Sequence, residues 1–288
     1  MKISVSSYSF QDKIDAGEMT LYDCITKAKE MGFEAIEICD FNLPGETAEE
    51  KKIAAKDVKA FAEKTGLVIN GYIVNQAIFR DDAVEFMKGQ LDIAKELGAT
   101  LMRHDVCKVL SKEGDTKSFD LMLPKLIDST RAVAEYAASL GIRTCSENHG
   151  RVSQDSERLE RLYNGVNHDN YGILFDMGNF MSIGEDPISA VSRLAPYVIH
   201  AHVKDVKLRN KPYRGWRWIA RNGAFGAPKV VGDGDVPIEQ CIRALMHAGY
   251  DGYLAIENEA PGDCVKVMEK GIKRVKKYIA NSEKYLKK

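Results

Sequence analysis

The chain has 288 residues, with 41 lysines and arginines against 42 aspartates and glutamates, a formal net charge of −1. That balance argues against a dedicated nucleic-acid or polybasic membrane-surface protein, which concentrates positive charge. A content of 44% hydrophobic and 29% charged residues excludes disorder as the main state. The N-terminal stretch Met1–Phe10 alternates like a strand rather than a cleavable leader, and no apolar run approaches the roughly 18 residues of a membrane span. Cys24, Cys39, Cys107, Cys145, Cys241 and Cys264 form no CxxC pair, and several lie in apolar runs. They read as buried thiols in a reducing, cytoplasmic setting.

Taken in chain order, the sequence repeats one unit: an amphipathic helix, a glycine, then an apolar run. The glycines are Gly32, Gly66, Gly98, Gly141 and Gly249. Each sits where a helix ends through a left-handed residue, so that the chain turns directly into a strand. Eight strands are expected to start near Ile3, Ala35, Leu67, Thr100, Ile142, Gly172, Val198 and Tyr253. Helices are expected at 19–31, 47–64, 81–97, 118–140, 153–164, 187–195, 237–248 and 262–279. Short apolar strands alternating with helices mean a parallel sheet, and eight such units predict one (β/α)8 TIM-barrel domain over residues 1–288. An open doubly wound sheet is the alternative, but no GxGxxG follows the first strand.

Barrel enzymes carry their chemistry at the C-terminal ends of the strands. Here strand 5 ends in Glu147-Asn148-His149, strand 6 in Asp176-Met177-Gly178-Asn179, strand 7 in His200-Ala201-His202-Val203-Lys204-Asp205, and strand 8 in Glu257-Asn258-Glu259. Glu147, Asp176, His202 and Glu257 are the expected ligands of one divalent ion, because four such groups gathered without a cation would be costly. Carboxylates favour Mn2+ or Mg2+, and one imidazole shifts the preference toward Mn2+, Co2+ or Zn2+. His200 shares the inward side of strand 7 with His202 and reads as a deeper packing or supporting residue. His149 is open between substrate binding, proton transfer and loop capping. Lys204 is open between a catalytic contact and an ion pair with Asp205 or the rim. Arg103, His104 and Asp105 end strand 4, as pocket lining or as a rim ion pair.

These strand-end motifs resemble those of the sugar phosphate isomerase/epimerase superfamily, the xylose-isomerase-like barrels, over nearly the whole chain. In ketose 3-epimerases of that family, the glutamates after strands 5 and 8 bind the metal and move the proton at the reacting carbon. These positions match Glu147 and Glu257. The aspartate after strand 6 and the second strand-7 histidine complete the coordination, matching Asp176 and His202. The resemblance implies a metal-dependent isomerase or epimerase that abstracts a proton next to a carbonyl through a metal-stabilised enediolate. The alternatives are a lyase or dehydratase of an inosose or 3-keto-glycoside, and a non-catalytic sugar-binding or partner subunit. The Val203-Lys204-Asp205 run is common in members acting on inososes. Endonuclease IV, a distant relative with three zinc ions, has a histidine where Asn179 stands. The expected partner is therefore a small sugar or polyol, with no nucleic acid, no membrane, and a homo-oligomer left open.

The stretch 208–231 holds both tryptophans and four arginines and reads as a long loop. It is either a lid over the pocket or a subunit interface. Trp216 and Arg217, with His104 and Asn179, are the substrate-contact candidates. Glu147, Glu257, His149 and Lys204 are the catalytic ones. Asp235 is the expected N-cap of the following helix.

Overall fold

The computed structural model describes residues 1–107, 118–150 and 152–287. The chain runs through β1 (Lys2–Ser6), α1 (Gln11–Asp15), α2 (Leu21–Glu30), β2 (Ala35–Cys39), α3 (Ala48–Thr65), β3 (Val68–Ala77) and α4 (Ala83–Leu97). Then follow β4 (Leu101–Asp105), α5 (Phe119–Ser139), β5 (Arg143–Glu147), α6 (Ser156–Val166), β6 (Tyr171–Asp176), α7 (Pro187–Leu194) and β7 (Val198–Val203). The last part comprises β8 (Asp205–Arg209), β9 (Trp218–Ile219), β10 (Phe225–Lys229), α8 (Ile238–His247), β11 (Tyr253–Ile256) and α9 (Cys264–Leu286).

Eight parallel strands close a barrel in the order β1-β11-β7-β6-β5-β4-β3-β2, with the helices outside. The five repeat glycines all lie in the left-handed region, with φ between 73° and 90°. A sixth copy of the device is hidden from a glycine count, because Asn167 ends α6 at φ 43°. Asparagine tolerates that conformation better than other residues with a side chain. The main core fills the space between strands and helices. A smaller cluster of Cys39, Ile73, Leu101, Cys145 and Leu174 shares the inward face of the barrel with the polar strand ends. All six cysteines are buried thiols. Among the described residues, no helix is long and apolar enough to cross a membrane.

The stretch expected to be a long loop is instead an antiparallel sheet, β8-β10-β9. Its anchor is Asp205, whose carboxylate accepts from the backbone amides of Gly232, Gly234 and Val236 at 2.7, 2.9 and 3.2 Å. Asp235 does not cap α8. It accepts from the amide of Leu208 and from Arg209, both at 2.9 Å, and α8 begins after Pro237.

Candidate metal centre and its cleft

Strand register brings the acids together. Asp176 pairs directly with His202 across β6 and β7, and His202 pairs with Ala255 across β7 and β11, two residues before Glu257. The Asn148 side chain bridges β5 to β6, donating to the Asp176 carbonyl at 2.9 Å and accepting from the Asp176 amide at 2.8 Å. One ligand atom each from Glu147, Asp176, His202 and Glu257 falls within 4.8 Å of all the others.

Around His202 Nδ1, Glu147 Oε1 lies at 3.9 Å, Asp176 Oδ2 at 3.8 Å and Glu257 Oε1 at 3.8 Å. These separations are too long for hydrogen bonds. They suit oxygens and a nitrogen shared by one ion with bonds of about 2.0–2.2 Å, which allows pairs up to about 4.4 Å apart. Asp176 Oδ2 and His202 Nδ1 are buried with no hydrogen-bond partner. The other Asp176 oxygen is satisfied by the amides of Gly178 and Asn179 at 2.7 and 3.0 Å. Buried polar atoms are normally paired, so two orphans aimed at one point fit a missing cation. Burial opposes a charged His202, but Glu37, Asp176 and Glu257 outweigh it and hold the imidazole well above its ordinary range. A positive charge is thus favoured at this spot in any case.

The groups around the centre are paired unequally. Glu147 Oε2 lies 2.5 Å from Arg103 Nη2, and Glu147 Oε1 accepts from Asn179 Nδ2 at 2.8 Å. Arg103 is fully enclosed and also holds Asp105 at 2.6 Å. Asp105 Oδ1, also held by Arg103, stands 2.8 Å from His149 Nδ1, and His149 lines the cleft. Lys204 is 7% exposed, with Nζ 2.5 Å from Glu257 Oε2, 3.0 Å from Glu259 and 3.6 Å from Asp176. Burial alone would lower its pKa. Glu257, Glu259 and Asp176 outweigh burial and hold it well above the ordinary lysine value, so it is an ammonium. The lysine stem passes so close to Gly178 that a Cβ there would meet Lys204 Cγ at 2.9 Å. Lys204 therefore makes no ion pair with Asp205, which is occupied by its loop amides.

A cavity of about 130 Å3 lies over the centre, lined by Tyr8, Arg103, Glu147, His149, Lys204 and Glu257 among others. It adjoins a second of about 250 Å3, reached past His149, Asn179 and Lys204 and walled by Trp218 and Ile219. A third, of about 350 Å3, holds Tyr8, Arg217, Trp218 and Glu259. Trp218 and Glu259 are common to the last two. The β8-β10-β9 sheet thus forms one wall of a branched cleft. The Trp218 indole lies flat on Gly226, where a Cβ would come within 2.5 Å of it.

Two expected substrate contacts are misplaced. His104 is fully buried and lines none of these cavities. Strand alternation turns Arg103 and Asp105 inward and His104 outward, with its Nδ1 3.1 Å from the Asp105 carbonyl. Burial pushes this imidazole down to about 4. Trp216 is 40% exposed and packs edge-on against Phe225, while Trp218 faces the cleft. Arg217 lines the outer arm with Glu259 and does not line the cavity over Glu147 and Glu257. Sequence reasoning missed Glu37, whose signal was a lone acid inside the apolar strand Ala35-Ile36-Glu37-Ile38-Cys39. Its carboxylate lies 2.7 Å from His200 Nε2 and 2.9 Å from His202 Nε2.

Comparison with known proteins follows the same lines. The sequence model of the xylose isomerase-like TIM barrel family matches residues 25–279. Inosose dehydratase of Geobacillus thermodenitrificans (strain NG80-2) is 23% identical over 263 residues, covering 84% of this chain and 83% of that one. The inosose dehydratase of Lacticaseibacillus casei is 27% identical, but the match spans only 54% of this chain and 53% of that one. Among solved structures, D-psicose 3-epimerase of Clostridium cellulolyticum H10 superposes with a TM-score of 0.74 at 15% identity, covering 97% of this chain and 99% of that one.

Proposed function

The chain belongs to the xylose isomerase-like TIM barrel family, and from that premise we propose that it is a divalent-metal-dependent dehydratase of a ketopolyol or related keto-sugar. The observation that carries this reading is the pairing of the two glutamates beside the centre. Glu147 is held by Arg103, and Glu257 by Lys204. An epimerase needs a group on each face of one carbon that exchanges a proton freely. Elimination needs a base for the carbon and an acid for the departing hydroxyl. An Asp105-oriented imidazole and a buried ammonium, both lining the cavity over the centre, match the second requirement. The similarity to proteins named inosose dehydratase supports the same choice.

Glu147, Asp176, His202 and Glu257 would hold the ion; three carboxylates and one imidazole suit Mn2+, with Mg2+, Co2+ and Zn2+ as alternatives. When bound, a divalent cation supplies Lewis acidity that stabilises negative charge developing on the carbonyl oxygen. His149 takes the proton from the carbon beside the carbonyl, and Asp105 stabilises the imidazolium that results. The C–H electron pair becomes the new C=C bond as the C–O bond of the adjacent carbon breaks. Lys204 gives its proton to the departing hydroxide, and one water leaves with no net oxidation or reduction. Arg103 and Asn179 hold the Glu147 carboxylate in place beside the other three ligand groups. Trp218 offers an aromatic face for the apolar side of a ring.

The isomerase or epimerase reading, first on the sequence alone, is placed second here. Its support is that Glu147 and Glu257 line the same cavity. One experiment separates the two. Mn2+-loaded protein is incubated with an inosose in deuterium oxide and the products are weighed. Dehydration yields a product lighter by one water. A deuterium-bearing isomer of unchanged hydration would move the assignment to epimerisation. Inosose recovered unlabelled and unchanged would remove the ketopolyol assignment.

A further inference from the structure

We infer that Glu37 is a positioning residue for the metal centre: its carboxylate, shared between His200 and His202, holds the His202 ring with its proton on Nε2 and the Nδ1 lone pair aimed at Glu147, Asp176 and Glu257. The inference rests on the metal reading proposed above.

Glu37 lies on β2 and the two histidines on β7, with β1 and β11 between them in the barrel order. The carboxylate therefore reaches across the interior to meet them. Glu37 and His202 show no exposed surface and His200 only 3%. A carboxylate buried this deeply costs several kcal/mol unless it is paired, so its place in an otherwise apolar strand needs a reason. Burial opposes its ionised form, but His202 and His200 outweigh that and keep it well below the ordinary carboxylate range.

Together the three residues resemble an ion site of their own, and distance decides against it. His200 Nε2 is hydrogen-bonded to Glu37 Oε2 at 2.7 Å, and His202 Nε2 stands in ion-pair contact with Oε1 at 2.9 Å. The set around His202 Nδ1 is spread to 3.8–3.9 Å, leaving space between its members. The first arrangement is one hydrogen bond from His200 and one close ion-pair contact from His202, with no room between them for an ion; the second is a cage.

The first arrangement has a chemical consequence. A neutral imidazole carries one N–H and one bare nitrogen, and only the bare one binds a metal. An ion entering the site would displace the Nδ1 proton of the imidazolium; with Oε1 of Glu37 beside Nε2, the remaining proton stays there and Nδ1 becomes the donor. His200 occupies Oε2, which stops the carboxylate from rotating and keeps Oε1 in place. Carboxylates supporting a ligating histidine in this way typically contribute 10- to 100-fold in metal affinity.

The test is Mn2+ binding by calorimetry to the metal-stripped wild-type protein and to Glu37→Gln, with thermal melting of both metal-free proteins. The expected result is a Kd weakened 10- to 100-fold. A purely structural role would lower the melting temperature and leave Kd within about twofold, and that outcome would overturn the inference. Should Glu37→Gln fail to fold, nitrogen-resolved NMR of Zn2+-loaded wild type decides: a proton on His202 Nε2 supports the inference, and one on Nδ1 refutes it. Wild type that binds no divalent ion would remove the metal reading, and this inference with it. Wild type that binds normally beside an unimpaired Glu37→Gln would remove this inference alone.

Discussion

His149 Nδ1 stands 2.8 Å from Asp105 Oδ1, a side chain at the cleft held by a fully buried carboxylate. Asp105 is itself fixed by Arg103, so the orientation of the exposed ring is set from inside the barrel. Replacing Asp105 with asparagine keeps the volume and removes the charge that stabilises a protonated His149. Asp105→Asn is expected to lower kcat by about 10²–10⁴-fold, with KM and Mn2+ affinity changed little. Steady-state kinetics with calorimetry checks this; an unchanged kcat would remove the dyad from the mechanism.

Lys204 is predicted to have two effects of opposite sign. Its ammonium lies 2.5 Å from one proposed ligand and 3.6 Å from another. It therefore competes with a cation for the same carboxylates. Lys204→Met should abolish turnover while tightening Mn2+ binding by roughly tenfold. Weaker metal binding in this variant would show that the lysine supports the site rather than opposing the cation.

The two tryptophans should separate in kinetics. Trp218 walls two arms of the cleft, whereas Trp216 packs on Phe225 and is 40% exposed. Trp218→Ala is expected to raise KM by roughly tenfold through the lost aromatic face. Trp216→Ala should leave KM within about twofold. Equal effects would mean that the sheet acts as a unit and that neither ring meets the substrate alone.

Acid should destabilise the protein through His104. Its folded pKa is pushed by burial from 6.5 down to about 4. Between those values the unfolded chain binds a proton that the folded chain refuses, so stability rises with pH across the window and falls as pH drops from about 6.5 to about 4. The loss from this one group is on the order of 3 kcal/mol at the bottom of the window. Denaturant melts across that range, comparing wild type with His104→Leu, should show a flatter profile in the variant. Parallel profiles would assign the acid sensitivity elsewhere.

Much of this centre was legible before any fold was known. Glu147 and Asp176 are the last residues of β5 and β6, His202 is next to last in β7, and Glu257 follows β11 directly. Period-two alternation and the strand-end rule are local, and they led to all four. The strand-end rule alone does not exclude His104, which sits one step from the inward-facing Arg103 and Asp105 and so faces the other way. Residues 208–231 look like a loop in sequence because their strands are short and separated by turns at Gly215 and Gly223. The antiparallel pairing that makes β8-β10-β9 joins residues too far apart in sequence for a local pattern to register.

The sequence by itself determined the eight alternating units, their left-handed helix ends and the four acidic or imidazole strand ends. Each of these follows from the backbone preferences and side-chain alternation of a few neighbouring residues. Only the tertiary structure decided that Arg103 holds Glu147, that Lys204 holds Glu257 rather than Asp205, and that Glu37 crosses the barrel to His202. It also decided which tryptophan faces the cleft. Those partnerships depend on the register and closure of strands far apart in the chain. Charge–charge energies in a buried interior change steeply with distance, so placements of an ångström or two separate a free base from a clamped ligand.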